Sequence, residues 1–272
     1  MVLKKIWSQS WLALLLVAIL WIVTATSSSL YFPPLSEVLT NLKDQLVHGS
    51  LRHDLVYSLK NLLVGLGFAT VVGVFFGLII GERPRLRIAT GPVLDFLRAT
   101  PYVALVPVIL LTLGLNAGPR IFLIAFGCVW AILLNTIAGV QGITPAVIET
   151  SRSFRIPWLL RLRRVVIPGA MPQIFAGLRV ALSVGIVLMV ISELYGSTEG
   201  LGFFILTSGS NFLVVDTWSG TLLIGLLGYA LSMVLVVIEH VTLRWHRQQP
   251  ARVKRPKANG TTTSQLVSST KV

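Results

Sequence analysis

The sequence predicts an all-α fold, a polytopic membrane helical bundle, and three observations lead to that prediction. The 272 residues are 54% hydrophobic and only 12% charged, whereas a soluble globular domain carries about 25% charged residues. Six apolar runs are long enough to cross a bilayer, which takes about 20 residues per helix. Lysines and arginines are concentrated in every second connection between these runs, as the positive-inside rule expects.

The predicted spans are joined by connections of very different length. They cover residues 11–27, 61–81, 94–115, 120–140, 174–194 and 220–242. Basic residues precede the first span and follow the second, fourth and sixth. We therefore expect a multi-pass protein of the cell (inner or plasma) membrane with both termini in the cytoplasm.

The two ends of the chain have compositions of their own. The charged start, apolar middle and small-residue end of residues 1–29 also fit a cleaved signal peptide, although the length of the apolar run favours a retained helix. Residues 248–272 are rich in Lys, Pro, Ser and Thr, which predicts a disordered cytoplasmic tail. The remaining residues, 1–247, are predicted to form a single transmembrane domain.

An amphipathic helix is predicted between the first two spans. Pro33 and Pro34 stop any extended helix before it, and Ser36 is expected to cap its N-terminus. Its apolar side is formed by Val38, Leu39, Leu42 and Leu46.

Small residues recur every fourth position in the second span, at Gly65, Ala69, Gly73, Gly77 and Gly81. A shorter stripe in the fifth span holds Gly177, Ala181 and Gly185. Such stripes let a second helix approach closely. The neighbour can be a helix of the same subunit or of a second copy, and the sequence leaves both alternatives open.

Catalytic and cofactor signatures are absent from the sequence. It contains no phosphate-binding G-x-x-x-x-G-K-[ST], no H-E-x-x-H and no G-x-S-x-G. The four histidines form no ligand pair. We therefore expect no enzyme activity, cofactor or metal. The net charge of +13 does not indicate nucleic-acid binding, because the basic residues flank apolar runs and no groove-reading element appears.

A few polar residues fall at membrane depth, where they are costly and often functional. Asp95 and Arg98 share one helix face at the start of the third span and can pair. Pro101 and Pro107 follow, so this helix is expected to be bent or broken.

Three residues are predicted to border a translocation path: Arg98, Asn135 and Ser183. Broken helices often line such paths in transporters. Arg179 is expected to extend toward the cytoplasmic surface.

The segment 147–168, "VIETSRSFRIPWLLRLRRVVIP", is too polar for lipid and too apolar for an ordinary loop. It predicts a short helix over 148–154 with Glu149 at its N-terminus, a break at Pro157 and a second helix over 159–166. Apolar anchors bordered by five arginines are typical of a docking surface; the anchors are Phe154, Trp158, Leu159 and Leu162. The alternative is a loop that is basic only because it faces the cytoplasm.

This segment resembles the EAA cytoplasmic loop of the membrane subunits of binding-protein-dependent ABC importers. Glu149 holds the acidic position, Val165 and Ile167 match the apolar pair, and Pro168 matches the closing proline. Thr150 and Ser151 replace the alanines, and Arg155 stands where the family has glycine. The stretches "YFPPLSEVL", "LRATPYVALVPVILLTLGL" and "SELYGSTEGLGFFI" extend the resemblance to the nitrate/sulfonate/taurine/bicarbonate branch.

The resemblance implies a permease subunit of an ATP-driven importer. A cytoplasmic ATP-binding subunit, in two copies, would receive the loop through Glu149, Phe154, Arg155, Trp158, Leu162 and Pro168. An extracytoplasmic binding protein would deliver the solute, and a second permease copy would complete a homodimer in the lipid bilayer. A permease for a pyrimidine-like vitamin precursor and an ion-coupled secondary transporter are the alternatives.

Overall fold

Residues 31–243 are described by a computed structural model, and helices account for most of them. The helices are α1 Leu35–Val47, α2 Leu51–Glu82, α3 Pro84–Ala99, α4 Tyr102–Leu113, α5 Ala117–Gln141, α6 Pro145–Ser153, α7 Trp158–Arg161, α8 Ile167–Leu194, α9 Leu201–Ser210 and α10 Val214–Thr242. No strand occurs between residues 31 and 243, which confirms the all-α prediction there. The predicted span 11–27 and the predicted tail 248–272 lie outside the described residues.

Four helices within residues 31–243 are long and apolar enough to cross a membrane: α2, α5, α10 and the continuous helix Trp158–Leu194. The pair α3 and α4 adds a broken span, because the two helices meet at an angle of 82° around Thr100 and Pro101. The predicted break in the third span is therefore confirmed. The total of six spans stays a prediction, since the first lies outside this part of the chain.

Helix α5 is the central helix, and α2 runs parallel to it along the stripe of small residues. A Cβ added at Gly65 would lie 2.8 Å from Ile124 Cγ2, and one added at Gly77 would lie 2.6 Å from Thr136 Cβ. Only glycine allows the two backbones to approach this closely. The structure thus assigns the first stripe to packing inside the subunit.

Helix α8 packs on α5 through the second stripe. A Cβ at Gly177 would lie 2.8 Å from Asn135 Cβ, and one at Gly185 would lie 3.1 Å from Cys128 Sγ. The largest core cluster lies along these contacts and includes Leu62 of α2, Ile132 of α5 and Met189 of α8. These apolar contacts hold the three helices together, and Cys128 Sγ of α5 also donates to Ala181 O of α8 at 3.1 Å.

The fifth span differs from the prediction, because it begins much earlier than residue 174. The helix is continuous over the 37 residues Trp158–Leu194, so the second half of the 147–168 segment is its first part. Pro168 would collide with the carbonyl of residue 164 in a regular α-helix. A π-helical turn at Leu162–Val166 widens the helix at that place and accommodates the ring.

The start of α1 also differs from the prediction. Ser36 is not the cap, because the helix begins at Leu35, directly after the prolines, and the Pro34 carbonyl accepts from the backbone N–H of Glu37 at 3.0 Å. Proline has the φ that a helix start requires. Val38 and Leu42 are buried, whereas Leu39 is 42% exposed and lies outside the packed side.

Candidate functional site

The 147–168 segment lies at one end of the bundle, where α2 and α5 end and the helix Trp158–Leu194 begins. Helix α6 ends at Ser153, four residues before the predicted break at Pro157. The backbone N–H of Arg155 donates to Arg152 O at 2.8 Å, and that of Ile156 donates to Ser151 O at 3.1 Å. These two bonds form a Schellman motif, which fixes the direction of the chain after the helix.

Arg155 occupies the position of this motif where glycine is usual. Its φ is +52°, in the left-handed region that costs a residue with a side chain about 1–2 kcal/mol. This is the position at which the EAA-type pattern expects glycine. The turn of that pattern therefore forms here with an arginine, and the following Pro157 prevents the helix from continuing.

The predicted position of Glu149 at a helix N-terminus is wrong. Helix α6 begins at Pro145, three residues earlier than predicted, so its first turn holds no acidic residue. Proline at the first helical position costs no hydrogen bond, because the N–H there has no partner in the helix. Glu149 lies in the middle of α6 and is exposed.

Five large apolar side chains of the segment are exposed, and the three most exposed are Phe154 at 77%, Leu159 at 67% and Trp158 at 54%. Beside Phe154 lies a hollow of about 350 Å³, whose walls include Val147, Thr150 and Val165. Arg163 and Arg164 are exposed nearby in sequence. Exposed apolar side chains and exposed arginines therefore occur together in this segment.

Two other residues of the predicted docking set are partly buried inside the subunit. Leu162 packs beside the buried cluster that contains Val166 and Ala170. Pro168 is partly buried in the first turn of α8. Both support the shape of the segment, and neither projects from it as the predicted docking role requires.

Glu82, the last residue of α2, contacts the segment. Its Oε2 accepts a hydrogen bond from Trp158 Nε1 at 3.0 Å, and its Oε1 lies 3.9 Å from Arg161 Nη2. No local pattern in the sequence predicts a role for this residue. The signal in the sequence is only that Glu82 is an acidic residue directly before Arg83 and Pro84, at the end of an apolar run.

The predicted path residues do not contact one another. Arg98 is exposed and pairs with Asp95 at 3.2 Å, as predicted. Asn135 Nδ2 donates to Ala131 O at 2.8 Å, and Ser183 Oγ donates to Arg179 O at 3.4 Å. All three side chains therefore bond within their own helices.

A buried polar cluster occupies the opposite end of the bundle and was not predicted as a unit. Three successive backbone N–H groups at the start of α9 are bonded there by side chains of α2 and α8. Gly200 N donates to Asp54 Oδ1 at 2.7 Å, Leu201 N to Ser58 Oγ at 2.9 Å, and Gly202 N to Glu193 Oε2 at 3.0 Å. Helix N-termini leave such donors unbonded, so the cluster caps α9 from outside.

Arg120 completes this polar cluster. It is 2% exposed, and its guanidinium donates to Tyr57 Oη and to Gly196 O, each at 3.1 Å. From the sequence, Arg120 is predicted only as the first residue of a span. Asp54, Ser58 and Asn61 lie at helical spacing just before Gly65, and that polar line was the signal for the cluster.

Arg179 has a partner that the sequence did not predict. Its guanidinium pairs with the carboxylate of Glu239 on α10, and the two side chains are 50% and 23% exposed. Helix α10 is thereby attached to α8 near the end that holds the 147–168 segment. No group of His, Cys, Asp or Glu in the described part of the chain could hold a metal ion.

Comparison with known proteins adds relatives of similar length. The taurine transport system permease protein of Escherichia coli is 28% identical over 239 residues, covering 85% of this chain and 86% of its own. The bicarbonate transport system permease protein of Synechocystis is 31% identical over 199 residues, covering 69% and 71%. A putative aliphatic sulfonates transport permease protein of Bacillus subtilis is 26% identical over 212 residues, covering 78% and 76%. All three are named as permeases of transport systems.

Solved structures show the same fold. An inward-facing form of the MetNI methionine ABC transporter matches with a TM-score of 0.61 at 19% identity, covering 72% of this chain and 97% of that one. The family model of the binding-protein-dependent transport system inner membrane component matches residues 70–253. The second part of α2, the broken pair α3–α4, the whole of α5 and the 147–168 segment fall inside that range. The chain thus belongs to the family of binding-protein-dependent transport system inner membrane components.

Proposed function

We propose that this chain forms the solute path of an ATP-driven importer and that its 147–168 segment docks on a separate ATPase subunit. The exposed side chains of Phe154, Trp158 and Leu159 carry the proposal. A segment with five arginines does not enter lipid, and apolar projections of this size in water are typical of protein interfaces. Membership of the family supports this function over an ion-coupled secondary transporter.

The orientation of the chain follows from its arginines. The segment end of the bundle carries Arg83, Arg85 and Arg87 besides the five arginines of 147–168, so the positive-inside rule places it in the cytoplasm. Both termini then lie on that side if residues 11–27 form a retained span. Reporter fusions after Lys257 and within residues 40–50 should report opposite sides of the membrane; the same side for both would contradict this orientation.

A second copy of the chain is the proposed partner inside the membrane. One side of the broken span packs inside the subunit through Val106 and Leu110. Other large side chains along it are exposed, including Ile88 at 75%, Phe96 at 73% and Leu111 at 82%. A homodimer would cover part of this surface, and two ATPase subunits would then bind its two segments. Native mass spectrometry of the purified complex should show two copies of each; one copy, or a second kind of permease chain, would contradict the homodimer.

Arg98, Asn135 and Ser183 remain the proposed border of the path. Arg98 and Ser183 are exposed, and Arg98 stands at the bend of the broken span. Arg98→Ala should reduce transport while the complex still assembles. Failure of assembly would mean that Arg98 serves only as the structural partner of Asp95.

The solute is proposed to be a small anion or zwitterion of the kind named for the relatives: a sulfonate, taurine or bicarbonate, with nitrate named for another. A pyrimidine-like vitamin precursor is the second candidate.

The decisive experiment is co-purification with candidate ATPase and binding-protein partners, followed by a thermal-shift screen of the binding protein. Stabilisation by one of these anions supports the proposal, whereas stabilisation only by a pyrimidine favours the alternative. Failure to recover any ATPase would contradict the importer function itself.

A further inference from the structure

We propose that Glu82 is a positioning residue that ties the 147–168 segment to α2, so that a force on the docked segment moves α2 together with α8. The proposal rests on the proposed function, in which an ATPase seats on this segment. It concerns a residue that lies outside the segment and outside the EAA-type pattern.

The contact joins one carboxylate to both ends of α7. Glu82 Oε2 accepts from the indole N–H of Trp158, the first residue of α7, at 3.0 Å. Glu82 Oε1 faces the guanidinium of Arg161, the last residue of α7, at 3.9 Å. The Glu82 and Arg161 side chains are each only 16% exposed, so water screens this pair less than a surface pair.

The position of Glu82 gives α2 itself no advantage. A carboxylate in the last turn of a helix is opposed by the helix dipole, and Glu82 is the final residue of α2. The carboxylate instead contacts Trp158 and Arg161 of α7. Trp158 meanwhile remains 54% exposed, so its ring can contact an ATPase while its N–H is bonded to Glu82.

The mechanical consequence follows from the two helices that meet at this contact. Helix α7 continues through the π turn into α8, so a displaced segment moves α8 directly. Helix α2 is attached to the segment through the Glu82 carboxylate and through Leu78, which shares a buried apolar cluster with Val166, and it is packed along α5 by its glycines. At the far end α2 and α8 meet again, where Ser58 donates to Glu193 at 2.8 Å. With Glu82 in place, the pair is joined at both ends.

The test follows amide hydrogen exchange in the whole complex of permease and ATPase, with and without ATP and vanadate. Exchange over residues 147–166 reports docking, and exchange over the last turns of α2, residues 75–82, reports transmission. In the wild type we expect a nucleotide-dependent change in both regions. In Glu82→Ala we expect the change over 147–166 to persist and the change over 75–82 to fall at least about threefold.

Three further variants separate a positioning role from a structural one. Glu82→Gln keeps an oxygen for the Trp158 N–H and should retain part of the change in α2. The exchanged pair Glu82→Arg with Arg161→Glu should restore more of it than Glu82→Arg alone. Asp44→Ala removes the carboxylate from an exposed Asp44–His48 pair of α1 and should behave as wild type.

The outcomes are distinct. A change over 75–82 that stays at the wild-type size in Glu82→Ala overturns the inference, as does an exchanged pair no better than Glu82→Arg alone. Loss of the change over both regions in Glu82→Ala and Glu82→Gln alike would make Glu82 a structural residue and also overturns it. Absence of any change over 147–166 in the wild type would instead contradict the proposed docking.

Discussion

Ser58 of α2 and Glu193 of α8 lie 135 residues apart in the sequence and meet through a hydrogen bond of 2.8 Å between Ser58 Oγ and Glu193 Oε2. The same hydroxyl accepts from the backbone N–H of Leu201, and the same carboxylate oxygen accepts from that of Gly202. Two long helices and the start of α9 are therefore joined by one hydroxyl, which donates and accepts, and one carboxylate oxygen, which accepts twice. Both side chains are almost completely buried, so water cannot replace a missing partner.

Ser58→Ala should lower the stability of the bundle. The change leaves the Leu201 N–H and Glu193 each without one hydrogen bond in a buried place, which costs about 1–3 kcal/mol per unsatisfied group. Thermal unfolding of the detergent-purified chain should show a lower midpoint. The matched control is Ser210→Ala, because Ser210 Oγ is exposed and bonds only to Leu206 O of its own helix. Equal midpoints for the two variants would contradict the capping role of Ser58.

Gly77→Ala should separate α2 from α5. A Cβ there would stand 2.6 Å from Thr136 Cβ and 3.0 Å from the backbone oxygen of Leu133, and overpacking of this kind costs about 1–3 kcal/mol. Gly67→Ala is the control, since nothing lies within 4 Å of its Cβ and alanine favours a helix more than glycine does. The midpoint of thermal unfolding should fall for the first variant and stay or rise for the second. A fall with Gly67→Ala alone would contradict the assignment of the stripe to α5.

Hydrophobicity and periodicity predicted the long elements, because an apolar run in lipid has to satisfy its backbone as a helix. The small-residue stripe of α2 predicted a close neighbour but could not name it, since Gly65 and Gly77 meet Ile124 and Thr136, about 60 residues away. Sequence patterns describe one face of a helix and leave its partner open. Only the structure shows that the close neighbour of α2 is α5 of the same subunit.

The residues of the candidate sites divide in the same way. Phe154 and Trp158 were predicted because aromatic residues among arginines form a local pattern, and both are exposed. Glu82 and Ser58 were missed because their roles come from contacts across 76 and 135 residues. The prediction put Glu149 at a helix start because it began the helix at residue 148. Pro145, the true first residue, is itself a helix-start signal. Patterns in the local sequence therefore do not predict the exact end of a helix or a contact with a residue far away in the chain.

Arg155→Gly should stabilise the turn after α6. Glycine adopts a φ of +52° without the steric penalty that arginine bears there, and the gain should be up to about 1 kcal/mol. Exchange of the Ile156 N–H, which closes the motif onto Ser151 O, should slow by up to about fivefold. Arg152→Gly is the control: this residue is helical, and glycine there costs about 1 kcal/mol, so exchange should accelerate. Faster exchange in both variants would mean that the Arg155 side chain itself holds the turn.

The docking prediction depends on the anchors that the 147–168 segment exposes. ATP is hydrolysed in the partner, so free energy has to cross a protein contact to reach the membrane helices. Truncating a buried aromatic anchor at such a contact costs about 2 kcal/mol or more. Phe154→Ala and Trp158→Ala should each weaken ATPase binding by about tenfold or more.

The measurement is recovery of the ATPase on the tagged permease at increasing ATPase concentration, from membranes holding equal amounts of each variant. Phe212→Ala is the matched control, because Phe212 is 80% exposed and lies between α9 and α10 at the other end of the bundle. It should bind as the wild type does. Trp158→Phe keeps an aromatic ring but loses the N–H that bonds Glu82, so it should bind more tightly than Trp158→Ala if the ring is the anchor. Wild-type recovery with both alanine variants would mean that the segment is a basic loop whose charge reflects its side of the membrane alone.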